Sequence, residues 1–209
     1  IKPGVPAVLA RQVDEAREIL EVTAERLGAP LHRQGVEWDA YANSGRLVVQ
    51  TETRALDLPL PSLYGAHQID NAGLACAALL AQSHYRISDD AFADGVANAV
   101  WPARLQPLTR GAFSAQIRAL GGEVWIDGAH NAHGAQALVR ALNSMRRRRD
   151  APTIAIIGML ARKDSDSFIN ALTGAVDRII AVPLAEPHIA PALISAATAP
   201  SLAAAMQNA

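Results

Sequence analysis

The sequence predicts an α/β protein in two parts, and three observations carry that expectation. The first part, to about residue 110, joins an amphipathic helix to short alternating pieces broken by turn residues. From residue 111 onward, strand-like and helix-like segments take turns at the spacing of a parallel sheet. The 209 residues are 50% hydrophobic and 19% charged, enough apolar material for a sizeable core.

Taken in order, VPAVLA is strand-like, and Val13, Ala16, Ile19, Leu20, Thr23 and Leu27 recur at helical spacing up to Gly28, a usual C-terminal stop. From Leu31 to Leu58 the pieces HRQGVEW, WDAYA and RLVVQTE predict antiparallel strands, with a turn at Asn43, Ser44 and Gly45. LPLP excludes helix interior, and IDNAGLACAALLAQ is apolar almost all round, as a buried helix is. A further helix fits Ser88 to Val100, with Ser88 as N-cap and Asp89 and Asp90 in its first turn. The boundary is expected near Thr109 to Gly111, after the proline-bearing WPARLQPL. Beyond it AFSAQIRALGGEVWID reads as a hairpin turning at Gly121 and Gly122, its WID arm a buried strand. A helix from about Ala132 to Arg147, strand TIAIIG, helix SDSFINALTGAV, strand RIIAVPL and an Ala-rich helical stretch complete the chain. In parallel α/β sheets ligands sit beyond the C-terminal strand ends, which nominates the loops DGAHNAHG, GMLARKD and PLAEPH.

A net charge of −1 leaves no basic field to attract a phosphate backbone, and 4% aromatics are too few for a base-stacking surface, so nucleic acid is not expected as a partner. The run Arg146 to Arg149 suits a helix C-terminus, where cations complement the dipole. The single cysteine, Cys76, reads as core packing in a reducing compartment. No apolar run approaches the roughly 20 residues of a membrane span, and the first residues lack signal-peptide order. Cytoplasm is the expected location. The chain starts at Ile1 in mid-pattern and reads as a piece of a longer protein.

Five positions carry candidate chemistry. Asp127 ends a strand, Gly128 and Ala129 permit close backbone approach, and His130 and Asn131 stand where a helix begins. Such a loop suits a phosphate or carboxylate; the plain alternative is that Asp127 and Asn131 only cap. His130 and His133 lack a third ligand nearby in sequence, so no metal site is assigned. Arg104, between two prolines, is either a phosphate clamp or a surface arginine beside a core-anchoring Trp101. Asn71 either caps its helix or meets an adenine edge. Lys163, one of two lysines, is either a substrate-binding cation or a solvated loop residue. There is no G-x-x-x-x-G-K-[ST] phosphate loop, no G-x-G-x-x-G, no C-x-x-C and no G-x-S-x-G, so no self-sufficient triphosphate site is expected.

In the order IKPGVP, GAHQIDNA, WPARLQ, WIDGAHN and GMLARKD, the chain resembles folylpolyglutamate synthase/dihydrofolate synthase of the Mur ligase superfamily, over nearly its whole length. The resemblance implies that residues 1–110 are the closing part of a Mur-ligase-type central ATPase domain. It makes 111–209 a Rossmann-like α/β C-terminal domain. It also implies that the phosphate loop, the Mg²⁺ ligands and a modified lysine lie upstream of a segment like IKPGVP. Asn71 matches the residue that reads adenine, Arg104 the one that touches ATP phosphates, Asp127 the one that holds the ribose, and His130 one near the γ-phosphate and incoming glutamate. Arg104 and His130 are thereby the catalytic candidates. Two departures stand out: Ala103 where the family often has glycine, and Ala132 where it often has proline.

The implied reaction is ATP-dependent addition of L-glutamate to dihydropteroate, folates or both through an acyl phosphate, by a monomer that closes its domains over ATP and Mg²⁺. The 209-residue piece alone is expected to be inactive. Two other readings stay open: a cell-wall Mur ligase, and a non-catalytic α/β binding module on the same fold.

Overall fold

In a computed structural model, residues 1–160, 165–184 and 197–208 are described. They divide into two compact units, Ile1–Pro102 and Ala103–Ala209. The division falls ahead of residue 110 because Gln106–Pro107 pair with Trp125–Ile126, which ties the end of WPARLQPL to the second unit.

The first unit opens with β1 (Ala7–Leu9), α1 (Asp14–Arg26) and β2 (Leu31–Arg33). Helix α1 ends in a Schellman motif: Gly28 adopts φ +60°, its N–H bonds Glu25 O, and Ala29 N–H bonds Ala24 O at 2.9 Å. Strand β2 departs from the antiparallel expectation, because it pairs with β1 in parallel, Ala7 opposite Leu31. The intervening helix supplies the crossover that a parallel pair needs. At the following turn Arg33 is bonded to both Glu21 and Glu37, which holds the Glu37 carboxyl down at about 2.

Strands β3 (Trp38–Asn43), β4 (Arg46–Thr51) and β5 (Ala55–Pro59) form an antiparallel meander. Ser44 and Gly45 both take positive φ between the paired residues Asn43 and Arg46, the two-residue turn that matches strand twist. Alternate residues point inward: Trp38 and Ala40, Leu47 and Val49, Leu56 and Leu58 are all buried. Burial of each such large side chain contributes about 2 kcal/mol. They pack on α2 (His67–Ala81) through Cys76 and Ala77, and on α3 (Asp89–Ala97) through Phe92 and Val96. Burial pushes the Cys76 thiol up to about 11, so it serves as an inert apolar group. Gly73 lets α2 close on β3, since a Cβ there would lie 2.2 Å from the Ala40 Cβ. Ser88 caps α3 by accepting Ala91 N–H, as its position predicts.

The second unit contains β6 (Gln106–Pro107), α4 (Ala112–Ala119), β7 (Trp125–Ile126), α5 (Ala132–Arg148), β8 (Ile154–Ile157), α6 (Ser165–Leu172), β9 (Arg178–Ala181), β10 (Ala197–Thr198) and α7 (Leu202–Gln207). Strands β10, β9 and β8 form a parallel sheet in that order. Its side chains alternate between two cores. Ala155, Ile157 and Ile179 pack with Phe168, Ile169 and Leu172 of α6 and with α5, while Ile154, Ile156 and Ile180 pack with Ala204 and Ala205 of α7.

Two expectations for this unit are corrected. Ala112–Ala119 is helix, not a hairpin arm, with Phe113 and Ile117 on its half-buried side. Apolar residues four apart satisfy a helix as well as a strand over so short a span. Strand β7 is not buried: Ile126 is 43% exposed, and β7 pairs antiparallel with β6 outside the parallel sheet. Among the described residues, no helix is long and apolar enough to cross a membrane.

Candidate functional site

The second unit brings three of the predicted residues together by tying two loops to each other. The short β6–β7 ladder continues past Ile126 into a set of side-chain and backbone bonds. Gly128 N–H donates to Ala103 O at 2.8 Å, and Leu105 N–H donates to Asp127 Oδ2 at 2.7 Å. The other Asp127 oxygen, Oδ1, accepts Ala129 N–H at 2.8 Å. Ala103 N–H is held by Gln106 Oε1 at 3.0 Å. Asp127 therefore does more than cap its own loop: one carboxylate fastens 127–129 to the turn that carries Arg104.

That turn is strained. Ala103 and Leu105 sit at φ +54° and +43° on either side of Arg104, in the left-handed region that disfavours L side chains. Leu105 is buried, which anchors the turn from below, while Arg104 is exposed. The guanidinium lies across Gly128, where a Cβ would fall 2.9 Å from its Nη1. A side chain at position 128 would therefore displace Arg104. Among the described residues the guanidinium has no carboxylate partner and donates one long hydrogen bond, to Ala103 O at 3.4 Å, so its charge is available to an anion. Trp101 is 63% exposed, which removes its reading as a core anchor.

At Ala103 the backbone takes the conformation that glycine favours, so alanine is the strained choice there. A left-handed φ is where glycine is favoured, so Ala103→Gly relieves about 1–2 kcal/mol of backbone strain and costs up to about 1 kcal/mol in unfolded-chain entropy. The expected result is a rise in the thermal midpoint of the second unit. A fall of several degrees would mean that the turn is not strained as described.

His130 is exposed and turns its Nδ1 onto Gly128 O at 3.0 Å. A carbonyl only accepts, so Nδ1 carries the proton and Nε2 is the atom available to a ligand. Asn131 caps α5 by accepting Gly134 N–H at 2.8 Å, the capping role foreseen for it. At the far end of α5, Arg146 pairs with Asp177 and Arg149 reaches Gly121 O.

Asn71 belongs to the first unit. It lies inside α2 rather than at its N-cap, which is Ala66, so the capping alternative fails. Its side chain is exposed, and Asn71 Nδ2 donates to Gln68 Oε1 at 3.0 Å. Gln68 itself is buried, and sequence reasoning missed it; the available signal was an amide inside an apolar run, which must find partners. Lys163 and the greater part of GMLARKD and PLAEPH lie outside the described residues. Among the described residues no group of three or more His, Cys, Asp or Glu converges as a metal site would require. A groove of 390 Å³ lined by Arg54, Tyr85, Arg86 and Phe92 contains none of the candidate residues.

Comparison with known proteins gives the lineage. The family described as Mur ligase, glutamate ligase domain matches residues 115–209. The dihydrofolate synthase/folylpolyglutamate synthase of Escherichia coli K12 is 32% identical over 166 residues, which is 79% of this chain and 35% of that protein. Among solved structures, E. coli FolC in complex with DHPP and ADP superposes with a TM-score of 0.79 at 28% identity, over 98% of this chain and 47% of that one. A bifunctional folylpolyglutamate synthase/dihydrofolate synthase with Mn, AMPPNP and L-glutamate bound also gives 0.79, at 29% identity, over 99% and 47%. The chain spans about a third of the length of the curated relatives it matches. By sequence, by fold and by the match over 115–209, the chain belongs to the folylpolyglutamate synthase/dihydrofolate synthases of the Mur ligase superfamily.

Proposed function

We propose that this chain works as part of an ATP-dependent ligase that adds L-glutamate to dihydropteroate, to folates or to both. The observation that carries the reading is the fastening of Ala103–Leu105 to Asp127–Gly128, which ties Arg104, without a carboxylate partner among the described residues, to the loop that carries Asp127 and His130. The relatives are folate enzymes, which supports the folate branch over the cell-wall one. The neighbouring structures bound to ADP, or to AMPPNP, Mn and L-glutamate, support ATP, a divalent cation and glutamate as the other reactants.

In this reading the substrate carboxylate takes the γ-phosphoryl group to give an acyl phosphate, and the amine of glutamate then displaces phosphate. Arg104 lies against the transferring phosphoryl oxygens and stabilises their charge, a task of positioning and electrostatics. Each Asp127 oxygen accepts one backbone N–H and keeps a second lone pair for a ribose hydroxyl. His130 Nε2 faces the γ-phosphate and the incoming amine. Asn71 is retained as the candidate for the adenine edge. Lys163 is retained as a substrate-binding candidate. The divalent cation would neutralise phosphate charge, and no side chain of this chain is assigned to hold it.

The test compares the 209-residue chain alone with the same chain joined to the upstream phosphate-loop half. Glutamate incorporation into dihydropteroate or a folate is expected only from the joined protein. Enzyme-like turnover by the isolated chain, or none by the joined protein on any pterin acceptor, would overturn the reading.

A further inference from the structure

We infer that Gln68 sets the choice of purine, by fixing which edge of the Asn71 amide faces outward; the inference rests on the adenine role proposed above for Asn71. Gln68 is 4% exposed, and it occupies both ends of its amide inside the protein. Its Nε2 lies 3.1 Å from His67 Nε2, and its Oε1 accepts Asn71 Nδ2 at 3.0 Å. The three side chains form a relay along the first turns of α2, with the buried member in the middle.

An asparagine amide free to rotate presents either its oxygen or its nitrogen to a base. One tied through Nδ2 has lost that freedom, so Asn71 offers one oxygen acceptor and one remaining N–H. That pair complements adenine, which shows an N6 donor beside the N7 acceptor. It opposes guanine, which shows O6 and N7, both acceptors. With Gln68 in place, turning the Asn71 amide to suit guanine sets its Oδ1 against Gln68 Oε1 unless the buried Gln68 amide turns as well, and that second turn needs a proton on His67 Nε2. The specificity lies in a residue that does not touch the nucleotide.

The experiment uses the full-length ligase and measures kcat and KM with ATP and with GTP for Gln68→Met, Gln68→Glu, Asn71→Ala and the double variant Gln68→Met/Asn71→Ala. Gln68→Met keeps the volume and drops both hydrogen bonds. It is expected to lower the preference for ATP over GTP by about tenfold or more, chiefly through KM for ATP, and to add little in the Asn71→Ala background. A glutamate at 68 accepts from Asn71 as glutamine does, so Gln68→Glu is expected to retain the preference. If Asn71→Ala loses the preference and Gln68→Met keeps it, the role of Gln68 is overturned while that of Asn71 stands. If Asn71→Ala keeps it, the adenine reading itself fails. Equal loss in Gln68→Met and Gln68→Glu assigns the effect to disturbed folding and also overturns the role.

Discussion

Arg104→Ala in the full-length ligase is expected to lower kcat by about 10²–10³ and to leave the thermal midpoint nearly unchanged. The magnitude is that of removing one preorganised donor from a developing charge in a water-poor site. The insensitivity of stability follows from the structure, because the side chain is exposed, buries little and makes one long contact to Ala103 O at 3.4 Å. Most of the loss is expected in kcat, since charge stabilised only in the transition state does not alter ground-state binding. Arg104→Lys should recover only part of it, because a point charge cannot meet two phosphoryl oxygens with a planar fork. A measured kcat within a factor of two of the parent would remove Arg104 from the chemistry.

The second large effect is on stability. In Gly73→Ala, helix propensity favours the variant by about 1 kcal/mol. Against that, the new Cβ would sit 2.2 Å from the Ala40 Cβ, and neither group has a torsion by which to move aside. Relief requires a shift of α2 away from β3, which opens the packing around Trp38, Val49 and Cys76. Overpacking of this kind costs about 1–3 kcal/mol, so the net expectation is a loss of up to about 2 kcal/mol and a midpoint lower by up to roughly 10 °C for a unit of this size. Ala40→Gly in the same background removes the opposing methyl and should restore much of the loss, a coupling of at least about 1 kcal/mol in a double-mutant cycle. A higher midpoint for Gly73→Ala alone would show that the helix and strand are not in close contact.

The ends of elements were legible because their chemistry is local. Gly28, the Ser44–Gly45 turn, Ser88 and Asn131 each act within a few residues of their own position, and each appears where the sequence places it. The meander was legible through strict alternation against one buried face. The parallel partner of β2 was not, since choosing between β1 and β3 depends on the path of α1 rather than on the residues of β2. Helix α4 was missed because eight residues with apolar groups four apart do not discriminate the two periods. At the site, WIDGAHN and WPARLQ marked the residues but not their bond. Asp127 reaches Leu105 through a backbone N–H, a donor that every residue except proline owns and that leaves no trace in the one-letter code.

The same bond limits what can be borrowed from this protein. A designer who copies WPARLQ into another scaffold transfers an arginine on a turn with two unfavourable backbone angles, held by the Gln106 side chain but without its carboxylate anchor. A designer who copies WIDGAHN alone transfers a carboxylate whose second oxygen has lost its donor. The smallest portable piece is both segments, 103–107 and 125–131, in antiparallel register.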